Sequence, residues 1–179
     1  MYENTYPSKR FRLSLEFLKQ HVDSSETILD LGVENPFTKI MKEHHFNVQN
    51  TKGEDLDLDT SLIQNSKAEV VTAFEIFEHL LSPFTVLKAI KADKLVASVP
   101  LRLWFSSAYQ SKTDKRDRHY HEFEDWQFDW LLEKAGWKII ERQKWTNPTK
   151  KIGIRPLFRW FTPRYYIVYA ERVKNTTDK

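Results

Sequence analysis

Two carboxylates and an imidazole stand close together in the middle of the chain, as Glu75, Glu78 and His79. At spacings of i, i+3 and i+4, one helical turn would present all three side chains on the same face. Carboxylate oxygens and imidazole nitrogens can hold Mg²⁺, Mn²⁺ or Zn²⁺, and such an ion could polarise a substrate hydroxyl. Without a metal, His79 is a candidate general base, because imidazole titrates near neutral pH.

A second histidine-rich segment follows further along the chain, at positions 119–123. His121 in this segment is a second candidate general base, and an imidazole from it could join the metal ligands. The chain contains no cysteine, which excludes disulfides, thiolate metal sites and a cysteine nucleophile.

The spacing of apolar residues predicts strands that alternate with helices around these groups. Helices are predicted over 8–22 and 124–135, and further helices begin at Pro36 and Pro83. By the same period we expect Phe84 and Trp130 to face inward. Positions 52–66 and 102–120 are predicted to be loops. Strands are predicted over 27–32, 46–51, 69–74, 94–100, 137–145 and 165–173, the last two as a candidate antiparallel pair.

Such alternation implies parallel βαβ units, with helices on both faces of one sheet. Ligands bind beyond the carboxyl ends of the strands in such sheets. This rule directs attention to Gly32, Thr51, Phe74, Glu75 and Pro100.

Length and composition fit one globular domain. The chain has 179 residues, of which 40% are hydrophobic and 30% charged, and its net charge is +3. We expect a single domain over 1–179, with a core at about 26–173 after an N-terminal helix within 1–25. No apolar run approaches the roughly 20 residues of a membrane span. A cytoplasmic protein without a membrane partner is the expectation, and the oligomeric state stays open.

Four segments resemble class I S-adenosylmethionine-dependent methyltransferases, of the type 11 and type 23 groups. Residues 28–32 resemble the family's first motif, and residues 70–80 its fourth-strand motif. Residues 95–100 match the family's fifth strand. Residues 128–137 resemble the helix, and the aromatic residue after Ala-Gly, that precede the family's sixth strand. The resemblance implies a Rossmann-like sheet, mostly parallel with an antiparallel last strand, and S-adenosylmethionine as cofactor.

Two departures from that family bear on cofactor binding. Its Gly-x-Gly-x-Gly motif reads Gly32-Val33-Glu34-Asn35-Pro36 here, so one glycine remains. Only 40 residues separate Asp30 from Val70, which leaves room for one strand and one loop. We therefore expect a sheet shortened in the middle, and Asn50 or Thr51 in place of the family's acidic ribose ligand.

The resemblance also assigns site residues. Two of them, His79 and His121, would face the acceptor and act in catalysis. A likeness to small-RNA terminal 2′-O-methyltransferases implies a divalent metal held by Glu75, Glu78, His79 and His121. Many small-molecule methyltransferases have a Glu-His pair after the fourth strand but no metal. On that comparison Glu75 would only neighbour the cofactor. The expected cofactor residues are Asp30, Gly32 and Glu34 at the methionine end, Asn50, Thr51 and Asp55 at ribose and adenine, and Phe74 and Glu75 beside the sulfonium.

Three functions remain open at this point. The first is methyl transfer to an oxygen or nitrogen of an unknown acceptor, with a small molecule as the expected partner. The second is a catalytically degenerate binding module that has kept the methyltransferase fold. The third is a metal-assisted RNA 2′-O-methyltransferase, for which basic residues would contact phosphates. Two groups of basic residues qualify: Arg102, Lys112, Lys115, Arg116 and Arg118 in the long connection, and Arg155, Arg159 and Arg164 further along the chain. Separately, Tyr2 and Tyr6 could close over a cofactor.

Overall fold

The computed structural model describes residues 8–115, 117–149 and 151–174. Tyr2, Tyr6 and Arg116 lie outside these residues. The helices are α1 (Ser8–His21), α2 (Pro36–Glu43), α3 (Ser61–Asn65), α4 (Pro83–Ala89), α5 (Asp125–Lys134) and α6 (Ile154–Phe161), with a 3₁₀ turn at Phe77–His79. The strands are β1 (Thr27–Asp30), β2 (Asn47–Asn50), β3 (Val70–Phe74), β4 (Lys94–Pro100), β5 (Trp137–Thr146) and β6 (Pro163–Arg172).

All six strands form one sheet in the order β2-β1-β3-β4-β6-β5. The first four strands along the chain pair in parallel, β6 runs antiparallel to β4, and β5 runs antiparallel to β6. The predicted fold class, a mostly parallel α/β sheet with an antiparallel last strand, is confirmed. Strand order reverses between β1 and β3, so their carboxyl ends flank the point where such sheets bind ligands.

Side chains that alternate along the strands fill two hydrophobic layers, one on each face of the sheet. Ile28 packs with α1 and α2, whereas its neighbour Leu29 packs with α4 and α5. In the same way, Val70 packs in the layer that contains α1 and α2, and Val71 packs in the layer that contains α4 and α5. Successive residues of a strand point to opposite faces, so these short apolar strands are buried on both sides. The sheet is thereby held rigid beneath the loops at its carboxyl edge.

The middle segment of the chain, between β1 and β3, is shortened as the sequence predicted. Between β2 and β3 the chain forms only the five-residue α3, and β2 is the edge strand.

Pro36 begins α2 after the N-cap Asn35, whose side-chain oxygen accepts hydrogen bonds from the N–H groups of Phe37 and Thr38. A helix N-terminus capped in this way fixes the chain direction after β1.

Several local predictions were wrong. Trp130 is 64% exposed and Phe84 is 39% exposed. At about 100° per residue, Trp130 lies about 200° around α5 from the buried Phe128, so it faces the other way. Positions 61–65 form α3 inside a predicted loop, and α6 was not predicted.

None of the described helices is long and apolar enough to cross a membrane.

Candidate active site

The loop that follows β1 is anchored by a buried carboxylate. Asp30 is 3% exposed and accepts hydrogen bonds from the hydroxyls of Thr72 (2.7 Å) and Thr38 (3.1 Å) and from Asn50 Nδ2 (3.0 Å). Burial raises the pKa of Asp30 to about 6, although these three hydrogen bonds oppose the shift. Asp30 was expected to line the methionine end of a cofactor, but its side chain is turned into the protein and ties β1 to β2, β3 and α2.

Gly32 joins the loops after β1 and β2. Its N–H donates to Thr51 Oγ1 at 2.7 Å, and its carbonyl accepts from Asn50 Nδ2 at 3.1 Å. Its φ of +105° is a conformation that favours glycine. The structure thus brings together Gly32, Asn50 and Thr51, as expected. Asn50 Oδ1 is buried and has no hydrogen-bond partner among the described residues.

Two other residues expected at the cofactor make different contacts. Glu34 Oε2, in the loop after β1, lies 2.5 Å from Lys42 Nζ of α2 in an exposed ion pair. Asp55 is exposed, and its side chain accepts from the N–H of Asp57 at 3.0 Å. Asp57 in turn accepts from the N–H groups of Leu81 and Ser82, both at 2.8 Å, so it fastens the loop after β2 to the start of α4. This anchoring role of Asp57 was not anticipated, because Asp57 and α4 are far apart in sequence.

Glu75 is held at the switch point by two partners. Its N–H donates to Ser98 O at 3.0 Å, and its carboxylate accepts from Ser98 Oγ at 2.9 Å. Arg10 Nη1 of α1 lies 3.2 Å from Glu75 Oε2, and both side chains are mostly buried. The guanidinium also lies over the Tyr165 ring, 5.3 Å from its centre. Arg10 and Ser98 were not anticipated, because α1 and β4 are far from Glu75 in sequence.

The crevice beside Glu75 is narrow. Its volume is about 30 Å³, and its walls include Arg10, Asn35, Phe37, Phe74 and Ser98. That is about the volume that one water molecule occupies. Phe37 and Phe74 meet edge to face, with ring centres 4.9 Å apart. A larger cavity of about 470 Å³ lies at the amino ends of β1 and β4, away from these groups.

The predicted arrangement of Glu75, Glu78 and His79 on one helical turn is wrong. Glu75 has a φ of +58°, which no helical residue adopts, and only Phe77–His79 form a 3₁₀ turn. Glu75 therefore points to Arg10 and Ser98. Among the described residues, the group whose ligating atoms all lie within 4.8 Å of one another is Glu78, His79 and His119. It does not include Glu75 or His121.

Glu78 and His79 form a half-buried acid–imidazole pair. Glu78 is 1% exposed, its Oε1 lies 3.7 Å from His79 Nε2, and its Oε2 has no partner among the described residues. Burial and the nearby Glu75 carboxylate raise the pKa of Glu78 well above its usual value. His79 Nδ1 lies 3.0 Å from Arg118 O, and since a carbonyl only accepts, this nitrogen carries the proton. In the neutral ring, Nε2 then keeps a lone pair directed toward Glu78.

The segment around His119 folds over this pair. The N–H groups of Tyr120 and His121 donate to Glu78 O, at 2.8 and 3.2 Å. The His119 ring packs edge-on against His79, with centres 4.8 Å apart, and Nδ1 of His119 is buried without a partner among the described residues. Burial, together with the charges of His79 and Arg164, lowers the pKa of His119 to about 4, so its ring is neutral at neutral pH. His121 Nε2 lies 3.3 Å from Leu81 O.

No protein-family model and no curated protein matches the sequence. The architecture, in contrast, is that of class I S-adenosylmethionine-dependent methyltransferases. The S-adenosylmethionine-dependent methyltransferase from Mesorhizobium loti superposes with a TM-score of 0.61 at 14% identity, over 88% of this chain and 96% of that one. At such low identity the likeness establishes the fold alone.

Two further structures show how varied the chemistry of this architecture is. The 1,6-didemethyltoxoflavin-N1-methyltransferase of Burkholderia thailandensis, bound to its substrate and S-adenosylhomocysteine, gives a TM-score of 0.59 at 15% identity, over 92% of this chain and 78% of that one. The [4+2]-cyclase SpnF gives 0.60 at 12% identity, over 96% and 84%. Function must therefore be argued from the site of this chain.

Proposed function

We propose that this protein is an S-adenosylmethionine-dependent methyltransferase that acts on an oxygen or nitrogen of its acceptor. The observation that carries the proposal is the Arg10–Glu75 ion pair at the switch point of the sheet. A guanidinium and a carboxylate side by side match the two charges of an amino acid zwitterion. In the proposed complex Glu75 pairs with the ammonium group and Arg10 with the carboxylate of the methionine moiety.

The remaining cofactor contacts come from the loops after β1 and β2. Gly32 lets the backbone approach the ligand closely, and a Cβ there would lie 3.4 Å from Ile76 Cδ1. The unpartnered Oδ1 of Asn50 is an acceptor suited to a ribose hydroxyl. When bound, S-adenosylmethionine supplies a methyl group activated by the sulfonium charge. The protein contributes positioning of the acceptor atom against that methyl group.

A proton acceptor for the reaction is available at His79. Hydrogen bonding to Arg118 O fixes its Nδ1–H tautomer and leaves Nε2 able to take a proton. Burial raises the pKa of the neighbouring Glu78, which disfavours negative charge on that carboxyl group. We propose that His79 accepts the acceptor's proton as the methyl group is transferred, and that His121 lines the approach.

Calorimetric titration with S-adenosylhomocysteine tests the proposal. We expect saturable binding to the wild-type chain, and an affinity weakened about tenfold or more in Arg10→Met and in Glu75→Gln, because each loses a charged hydrogen bond. Arg12→Ala is the matched control, since Arg12 is an exposed arginine of the same helix that pairs with Glu16. Absence of binding to the folded wild-type chain at millimolar ligand would contradict the proposal.

That negative outcome would favour the binding module without cofactor. The observation on its side is the narrow crevice, about 30 Å³, with Arg10 and Glu75 already paired across it. Cofactor entry requires this pair to separate. If the wild-type chain leaves S-adenosylhomocysteine unbound while thermal unfolding shows an intact fold, the module is the better description.

A metal-assisted enzyme, including one that acts on RNA, is a second candidate. It is favoured by the convergence of Glu78, His79 and His119, two of which carry buried unpartnered atoms. Metal-binding histidines commonly donate their other N–H to a carbonyl, as His79 does. Equilibrium dialysis with Mn²⁺ or Zn²⁺ should show binding that Glu78→Gln abolishes and that the exposed control Glu133→Gln keeps. Equal metal binding by both variants would reject this metal site. If the acceptor is RNA, the chain should also bind RNA with a steep dependence on salt concentration.

A further inference from the structure

The helix α6 leaves its apolar face uncovered in the part of the chain that the structure describes. None of its eight residues is buried. Ile154, Leu157 and Phe161 follow one another at i, i+3 and i+7 and are 74%, 56% and 78% exposed. Trp160 lies beside them and is 59% exposed. Surface helices normally bury such a stripe against the core, so this face is available to a partner.

Neighbouring residues extend this apolar face. Ile152 is fully exposed just before the helix, and Trp104 is exposed in the connection after β4. The Trp104 ring packs against Phe158 of α6, with ring centres 4.9 Å apart. This contact joins the two segments into one surface. The apolar patch consists of Trp104, Ile152, Ile154, Leu157, Trp160 and Phe161.

The helix α6 lies in a basic stretch of the sequence. Residues 145–170 contain five lysines and arginines and no aspartate or glutamate. Arg155 and Arg159 lie on the opposite side of α6 from Leu157, by the 100° step of a helix. A surface with tryptophan, phenylalanine and leucine on one side and arginine on the other is typical of helices that lie in the interface of an anionic membrane.

We propose that the apolar patch docks on an anionic lipid surface, with α6 lying in the plane of the headgroups. The sequence predicted no membrane partner on the grounds that no segment spans one, and a helix lying in the interface does not require a span. This inference does not depend on the proposed enzymatic function.

Docking in this way would set the candidate active site beside the lipid surface. α6 leads into β6 at Pro163, and the carbonyl of the next residue, Arg164, accepts from Leu101 N at 2.7 Å, directly after β4 ends. The apolar patch thus lies at the carboxyl edge of the sheet, as Glu75 and Ser98 do. The amino ends of β1 and β4 would face away from the membrane.

Co-sedimentation of the full chain with vesicles tests the proposal. The two vesicle types are phosphatidylcholine alone and phosphatidylcholine mixed with phosphatidylglycerol. We expect binding to the mixed vesicles that weakens as salt is raised, and little binding to phosphatidylcholine alone. A blue shift of tryptophan fluorescence on the mixed vesicles should accompany it, because Trp104 and Trp160 enter a less polar environment.

Three variants separate the lipid surface from other occupants. Leu157→Ser/Phe161→Ser should lower vesicle partitioning about tenfold or more, since two large apolar side chains no longer insert. Arg155→Gln/Arg159→Gln should reduce the preference for anionic vesicles. Trp126→Ser/Trp130→Ser removes two exposed tryptophans of α5 and should bind like the wild type.

The outcomes are decisive because the substituted side chains are exposed, apart from the half-buried Arg159, and the variants should keep the thermal stability of the wild type. Vesicle binding that is equal in the α6 and α5 double variants would overturn the proposal. So would absence of binding by the wild type. Concentration-dependent dimerisation that is lost in Leu157→Ser/Phe161→Ser, without vesicle binding, would overturn it in favour of a second copy.

Discussion

The substitution Asp30→Asn should change how stability depends on pH, because it removes a buried carboxyl group whose pKa is displaced. The pKa of Asp30 is about 6 in the folded protein, against 3.8 for the group in an unfolded chain. Between these values the folded state binds more protons than the unfolded state, so stability falls as pH rises and levels off above about pH 6. The full shift corresponds to about 3 kcal/mol, of which about 2 kcal/mol falls between about pH 4.5 and about pH 7.5.

Urea unfolding of both proteins at several pH values measures this effect. The free energy of unfolding of the wild type minus that of Asp30→Asn should decrease by about 2 kcal/mol from about pH 4.5 to about pH 7.5. Asp59→Asn is the control, because hydrogen bonds from the hydroxyl and N–H of Ser61 lower the pKa of the exposed Asp59, so its carboxyl group is largely ionised in both states over this pH range and the difference should stay nearly constant. A flat difference for Asp30 would refute the reasoning that its carboxyl group is buried at a cost.

Three further predictions concern stability, each tested by urea unfolding. Gly53→Ala should lower the free energy of unfolding by about 1–2 kcal/mol, because φ is +87° and a Cβ would lie 2.8 Å from Val33 Cγ1. Adding Val33→Ala should remove the steric clash but not the backbone strain. Asp57→Ala should cost about 1–2 kcal/mol through loss of its two backbone hydrogen bonds, and an unchanged midpoint would contradict the anchoring role. Phe128→Ala should cost about 3–5 kcal/mol and Trp130→Ala less than about 1, since the first ring is buried and the second exposed.

The fold could be predicted from local signals that act over few residues. β4 was predicted with the bounds that the structure shows, because its apolar run is closed by charged residues at one end and Pro100 at the other. The start of α2 followed from Asn35-Pro36, whose capping chemistry is local. α6 was not predicted, because Gly153 and Pro156, residue types that favour turns, stand at its start and leave only a short apolar pattern.

The candidate site was predictable only in part, because it depends on contacts between distant segments. The grouping of Gly32, Asn50 and Thr51 followed from parallel strands ending at the same edge. The role of Arg10 did not, since nothing in the sequence of α1 indicates which loop it reaches. The choice between His119 and His121 depends on which side of the chain faces Glu78, and the two backbone hydrogen bonds to Glu78 O decide it.

The shortened sheet has a consequence for how the protein keeps other chains from adding to it. One border strand, β2, has only four residues, so an invading strand could form few hydrogen bonds there. The other border strand, β5, has ten residues, but its register shifts between Ile139 and Glu141, and Lys138, Arg142 and Lys144 are exposed along it. Shortness protects one border and irregularity with charge the other, which disfavours edge-to-edge aggregation.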